Sequence, residues 1–159
     1  MKHLLHALAA MALLASTWAM ADDDDVRATP RTPLLAEYQQ ECASCHLAYP
    51  PALLPAASWR RLMDNLPTHF GTDASLAPDQ VKRLSQWLQQ TANAANARRR
   101  SEPPPQDRIT RSRWFLHEHD ELPASVWQRP SIQRPSNCMA CHTKADQGDF
   151  RERHIRIPR

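Results

Sequence analysis

The sequence predicts a mostly α-helical protein made of two small lobes, the second irregular with little or no strand. Three observations carry that expectation. Over much of the first half, apolar side chains recur at the spacing that gathers them on one face of a helix. The run Arg98-Arg99-Arg100-Ser101-Glu102-Pro103-Pro104-Pro105 then interrupts the chain. Consecutive prolines cannot continue a helix and form a stiff, exposed connector. A Cys-x-x-Cys-His box lies on each side of that run. The expected plan is a leader over residues 1–21, a first lobe over 22–97, a connector over 98–106 and a second lobe over 107–159.

The leader stands apart in composition. Lys2 precedes an apolar run from Leu4 to Leu14 broken only by His6, and Ala19-Met20-Ala21 precedes the acidic Asp22. A basic start, a short apolar centre and small residues at the exit describe a cleavable secretory signal peptide. The run is well short of the roughly 20 apolar residues a spanning helix needs, so no membrane span is expected after cleavage. The expected location is the periplasm.

Charge says little, with 20 basic against 17 acidic side chains. The arginines gather at 98–100 and in the tail from Arg151 to Arg159. In an exported protein such clusters read as a solvated face or docking patch, not as a nucleic-acid surface. Two glycines and fourteen prolines imply few tight turns and many stiff loops. Low overall hydropathy implies a thin core, the condition in which small chains recruit a disulfide, a metal or a cofactor.

Element by element, Leu34, Leu35, Tyr38 and Cys42 share a helical face leading into the first box. Pro50, Pro51 and Pro55 enforce a loop. A helix starting at Ser58 or the residue before it carries Trp59, Leu62, Met63 and Leu66 as an apolar stripe. Pro67 ends it, and His69-Phe70-Gly71 forms a turn. A longer helix begins near Pro78, a residue suited to the first helical position, with Val81, Leu84, Leu88 and Ala95 on one face and Trp87 beside them. In the second lobe, residues 107–119 are expected as one helix with Ile109, Trp114 and Phe115. Pro123, Pro130 and Pro135 keep the chain irregular up to the second box, and Ile155-Arg156-Ile157 is a short edge strand or packed coil.

All four cysteines fall in the boxes Cys42-Ala43-Ser44-Cys45-His46 and Cys138-Met139-Ala140-Cys141-His142. A disulfide framework suits an exported protein but leaves both trailing histidines unexplained. A thioredoxin-like site needs alternating strands and helices, which this chain lacks. Zinc also takes paired C-x-x-C, but the separation from Cys45 to Cys138 far exceeds ribbon spacing. Covalent haem attachment accounts for every residue. Each thiol adds to one vinyl group, two intervening residues span the attachment points, and the next histidine lies under the iron. Two haem c groups are therefore expected, on Cys42/Cys45 and Cys138/Cys141, with His46 and His142 as proximal ligands.

A second axial ligand would close each iron and suit electron transfer, whereas an open position would suit a gas or peroxide. Beyond the leader, the remaining histidines are His69, His117, His119 and His154. His69 lies in a turn from which it can reach over the first haem. Met63 is its rival donor, although it sits in the apolar stripe, where methionine is usually core. In the second lobe both His117 and His119 can share the aromatic face of Trp114 and Phe115, and periodicity does not choose between them. His154 reads as an exposed tail residue.

The stretches YQQECASCHLAYPPALLPAASWRRLMDNLPTHFG, RITRSRWFLHEHDEL and SNCMACHTKADQGDF, with the closing IRIP, resemble the small periplasmic dihaem cytochromes c associated with an oxygen-binding monohaem cytochrome. That resemblance implies two bis-histidine, low-spin haems in two lobes, the first similar to a small cytochrome c. Carried over by position, the proximal ligands fall on His46 and His142 and the distal ones on His69 and His119. A basic residue is expected where His117 stands. The resemblance also implies electron delivery from a membrane cytochrome b-type donor to a soluble haem partner, with no enzymatic turnover. The rival is a gas- or peroxide-reactive dihaem protein with one open or displaceable axial site.

Overall fold

The computed structural model describes residues 34–96 and 102–159, so the leader, residues 22–33 and 97 of the expected first lobe and residues 98–101 of the expected connector lie outside the described part. The first lobe contains α1 (Ala36–Cys42), α2 (Ala56–Asp64) and α3 (Pro78–Asn96). The second contains α4 (Arg113–Glu118) and α5 (Ala124–Trp127) among short 3-10 turns. There is no sheet among the described residues; isolated bridges join His69 to Thr72, His142 to Ile155 and Lys144 to Asp149.

The first lobe forms because its apolar stripes meet. α2 packs along α3, which also closes against the Pro51–Leu53 turn. Tyr38, Leu54, Trp59, Met63, Leu66, Leu84, Leu88 and Ala92 are buried together. Their burial from water is the principal stabilising term. Polar ends of the aromatic residues are also satisfied: the Trp59 indole donates to the Pro51 carbonyl at 2.8 Å and the Tyr38 hydroxyl to the Tyr49 carbonyl at 2.8 Å. Arg83 ties α3 to α1 through Glu37 at 2.8 Å.

The boundaries differ from the sequence expectation in instructive ways. α2 starts at Ala56, behind the extended Pro55, two residues before Ser58. Leu66 belongs to a separate 3-10 turn that Pro67 enters without needing an N–H donor. On α3 the buried residue of the last turns is Ala92, and Ala95 is exposed. Both lie on the side of Leu88 by helical spacing, four and seven residues on, and burial ends with Ala92.

The expected helix over 107–119 is broken. Gln106 and Asp107 have φ of 58° and 53°, and Ser112 is extended. Only after Ser112, whose hydroxyl accepts from the Phe115 N–H at 3.0 Å, does α4 begin. Residues 107–109 instead pack back on the first lobe. Arg61 grips Asp107 with two bonds of 2.8 and 2.5 Å, and Ile109 lies against the first-lobe core. α5 was not anticipated from the sequence. The buried apolar residues of the second lobe are Phe115, Val126, Ile132 and Ala145, a much smaller set than the first lobe's.

A polar knot supplements that small set. Asp149 is buried and accepts from the Arg151 guanidinium, including Nε at 2.9 Å, and from the Arg151 N–H at 3.1 Å. His154 Nδ1 lies 3.0 Å from the same carboxylate, so His154 is half-buried and held, not an exposed tail residue. Arg151 holds the Asp149 carboxyl well below the usual carboxylate range. A depressed folded-state pKa favours the charged, folded form. Its stabilisation is therefore complete above the unfolded value near 3.8 and is lost as pH falls through the lower folded value. Asp149→Asn is expected to lower the urea midpoint of the second lobe at neutral pH. Its gap to the unmodified protein should narrow well below pH 3.8, and a pH-independent gap would refute this role.

Candidate haem sites

Both boxes fold into a single tight turn. The first starts on the last residue of α1, and the His46 N–H returns to the Cys42 carbonyl at 3.5 Å. In the second, Cys138–Ala140 is a 3-10 turn and the His142 N–H returns to the Cys138 carbonyl at 2.8 Å. Each turn winds one helical step between the first cysteine and its histidine. No disulfide joins the four cysteines. Burial pushes the Cys42 thiol up to about 11 and also raises Cys138 and Cys141. Reactive redox cysteines have lowered pKa values, so the environment opposes a thiol-switch reading.

The histidines converge two by two. The His46 and His69 rings lie 6.1 Å apart between centroids, nearly parallel at 24°. His119 and His142 also lie 6.1 Å apart, but crossed at 70°. One metal ion between two imidazoles, each at about 2.0–2.1 Å from its nitrogen, separates the ring centres by roughly 6 Å. The residues present would therefore fit an iron between the two rings in each lobe. Among the described residues, no cluster of three or more His, Cys, Asp or Glu side chains forms a cage for a bare ion.

Second contacts orient two of these four rings, as they do in most histidine–metal sites, while the buried Nδ1 atoms of His69 and His142 have no protein partner. His46 Nδ1 meets the Leu47 carbonyl at 2.7 Å, and its ring stacks on Tyr49 at 5.1 Å. His119 Nδ1 meets the Phe115 carbonyl at 2.9 Å, and its ring stacks on Phe115 at 4.1 Å with Trp127 at 5.8 Å. Burial, and then the neighbouring His46 and His119 respectively, lower the pKa values of His69 and His142. Both effects favour the neutral imidazole that a metal requires.

The structure brings His69 to His46 and His119 to His142, and it leaves other candidates outside. Met63 is buried in the first-lobe core. The His117 side chain is 82% exposed and lies 3.8 Å from Asp120. Of the large aromatic side chains, Trp59 and Phe115 are buried and Trp87 packs against the core, while Phe70 and Trp114 are 46% and 40% exposed. Tyr49 was missed in the sequence. Its ring covers His46 while its hydroxyl donates to the Ser136 carbonyl at 2.8 Å, two residues before the second box. That bond spans 87 positions in sequence, and no local periodicity announces it.

Known proteins place this arrangement. The dihaem cytochrome c family matches over residues 38–150. The X-ray structure of a diheme cytochrome type c from Shewanella baltica OS155 is 38% identical, covers 80% of this chain and 95% of its own, and superposes with a TM-score of 0.68. A diheme cytochrome c from Rhodobacter sphaeroides is 36% identical, covering 76% of this chain and all of its own, with a TM-score of 0.66. No curated protein matches. Matched across both boxes and most of the chain, this protein belongs to the dihaem cytochrome c family, and its cysteine pairs serve two haem c groups.

Proposed function

We propose that the protein is a periplasmic electron carrier whose two haems are each closed by a pair of histidines, His46 with His69 and His142 with His119. The observation that carries this reading is the facing of two imidazoles at 6.1 Å in each lobe. Bound haem supplies a one-electron ferric–ferrous couple. The chain would anchor it through the four thiols and hold each iron between two histidines, with the same ligands in both oxidation states. Two histidines on each iron would limit reorganisation during electron transfer and leave no coordination position standing open at rest, which separates a carrier from a catalyst. Imidazole lacks the thioether's preference for ferrous iron, so both potentials lie below those of methionine-ligated cytochromes. The leader's composition supports export. By resemblance, a membrane cytochrome b-type donor and a soluble oxygen-binding monohaem cytochrome acceptor are the proposed partners.

Spectroscopy of the oxidised and reduced holoprotein tests the proposal. Ferric electron paramagnetic resonance is expected to show two low-spin species and no high-spin iron. Near-parallel rings direct their π-donation at one iron d orbital and split the pair, giving a rhombic signal for the first lobe. Crossed rings share the donation and leave the pair close in energy, giving a more anisotropic signal for the second. The reduced protein is expected to show no immediate shift with carbon monoxide. A high-spin ferric signal, or prompt stoichiometric carbon monoxide binding at either haem, would establish an open iron and favour the gas- or peroxide-reactive rival.

A further inference from the structure

We propose that the sixth position of the first haem, filled by His69, is a displaceable site for a small anionic iron ligand, whereas the position filled by His119 stays closed. The inference rests on the two-histidine reading above and concerns how firmly each distal ring is held.

The two distal histidines are supported very differently. His119 has its Nδ1 bonded to the Phe115 carbonyl at 2.9 Å and its face stacked 4.1 Å from the buried Phe115 ring. To leave an iron it must give up that bond and slide out between Phe115 and Trp127. His69 Nδ1 is buried and has no hydrogen-bond partner. Its aromatic neighbour other than His46 is Phe70, tilted by 60° and 46% exposed. Loss of the partner that orients a histidine ligand typically weakens metal affinity about 10–100-fold.

Displacement also needs somewhere for the ring to go. A cavity of about 440 Å³ adjoins His69, lined by Leu62, Asn65, Thr68, Phe70 and Arg108 among others. His69 and Phe70 line it, and His46 does not. Phe70 and Gly71 follow His69 with φ of 49° and 94°, and the space around Gly71 is open. The cavity rim is positively charged. Arg61 is neutralised by Asp107, while the Arg108 guanidinium sits 4.2 Å from the Phe70 ring centre. That charge favours an anion over a neutral ligand.

With cyanide as probe, the bond from ferric iron to His69 Nε2 breaks and a bond to the cyanide carbon forms. Iron stays ferric, and the released Nε2 takes the proton carried by hydrogen cyanide. Rapid mixing of the oxidised holoprotein with excess cyanide, read in the Soret band and by haem-methyl NMR, should show one haem reacting. Its rate should rise with cyanide and then level off where His69 departure becomes limiting. The other haem should react about 10–100-fold more slowly. His69→Ala should abolish the plateau and make the rate linear in cyanide, while His119→Ala should add a second fast phase and leave the plateau intact. Arg108→Gln, which leaves both ligands in place, should lower the initial slope without moving the plateau. Equal rates at the two haems, no reaction at either, or a plateau surviving His69→Ala would overturn the proposal. Failure of the two-histidine reading looks different: high-spin iron before cyanide is added and a linear rate in the unmodified protein.

Discussion

Replacing Cys138 and Cys141 by alanine is expected to halve the Soret absorbance and unfold the second lobe while leaving most of the helical signal intact. The reason is the uneven distribution of core. Phe115, Val126, Ile132 and Ala145 are the buried apolar side chains of the second lobe, and its helices are only 6 and 4 residues long. Helices that short have no stability of their own and depend wholly on packing. A haem stitched to Cys138 and Cys141 and held by His119, as proposed, would join α4 to the second box. In the first lobe, α2 and α3 bury Trp59, Met63, Leu84, Leu88 and Ala92 against Tyr38 and Leu54. α3 alone is 19 residues long, so far-ultraviolet circular dichroism of the variant should retain most of its amplitude. Limited trypsin digestion should cut at Arg129, Arg134 and Arg151 and leave a resistant fragment containing α1 to α3. The mirror variant, with Cys42 and Cys45 replaced, should lose the same share of haem absorbance but less protease resistance. Equal collapse of both variants would contradict the idea that the second haem serves as the core of its lobe.

This unevenness also explains what could be read from residue order. The first lobe was legible because its helices are long enough for periodicity to build up: Leu84 and Leu88 fall where the stripe puts them. The boxes were legible because attachment chemistry fixes residue type and spacing together. The second lobe resisted for a physical reason. Its geometry is set by single backbone angles, such as the positive φ at Gln106, Asp107 and Gln133, and by side-chain bonds that no periodic pattern encodes. Asp149 and His154 meet because Gly148, at φ 69°, turns the chain between the second box and the tail. The Ser112 cap was the missed signal that was available. A serine directly ahead of Arg113-Trp114-Phe115 marks a helix start, and it would have shortened the expected helix to its true beginning.

The choice between His117 and His119 shows how such a short helix hides its functional residue, and it leads to the sharpest substitution test. Both histidines lie within reach of the Trp114–Phe115 face by spacing alone. Because α4 ends at Glu118, His119 is no longer a helical position but the residue that closes the helix, with φ −129° and ψ 15°. From there its ring folds back over Phe115 and faces His142, while His117 points to solvent beside Asp120. His119→Ala should therefore convert one of the two haems to high-spin iron and open it to carbon monoxide, with the first haem unchanged. His117→Ala should leave both haems low-spin, and its stability should change little, since an exposed histidine near a carboxylate contributes at most a few tenths of a kcal/mol. His119→Met separates ligation from packing: a thioether in the same place should restore a low-spin iron but raise its potential. If alanine at 119 merely disrupted the lobe, methionine would not rescue the spin state. High-spin iron in the His117 variant, with the His119 variant unchanged, would reverse the assignment and would require α4 to continue for another turn.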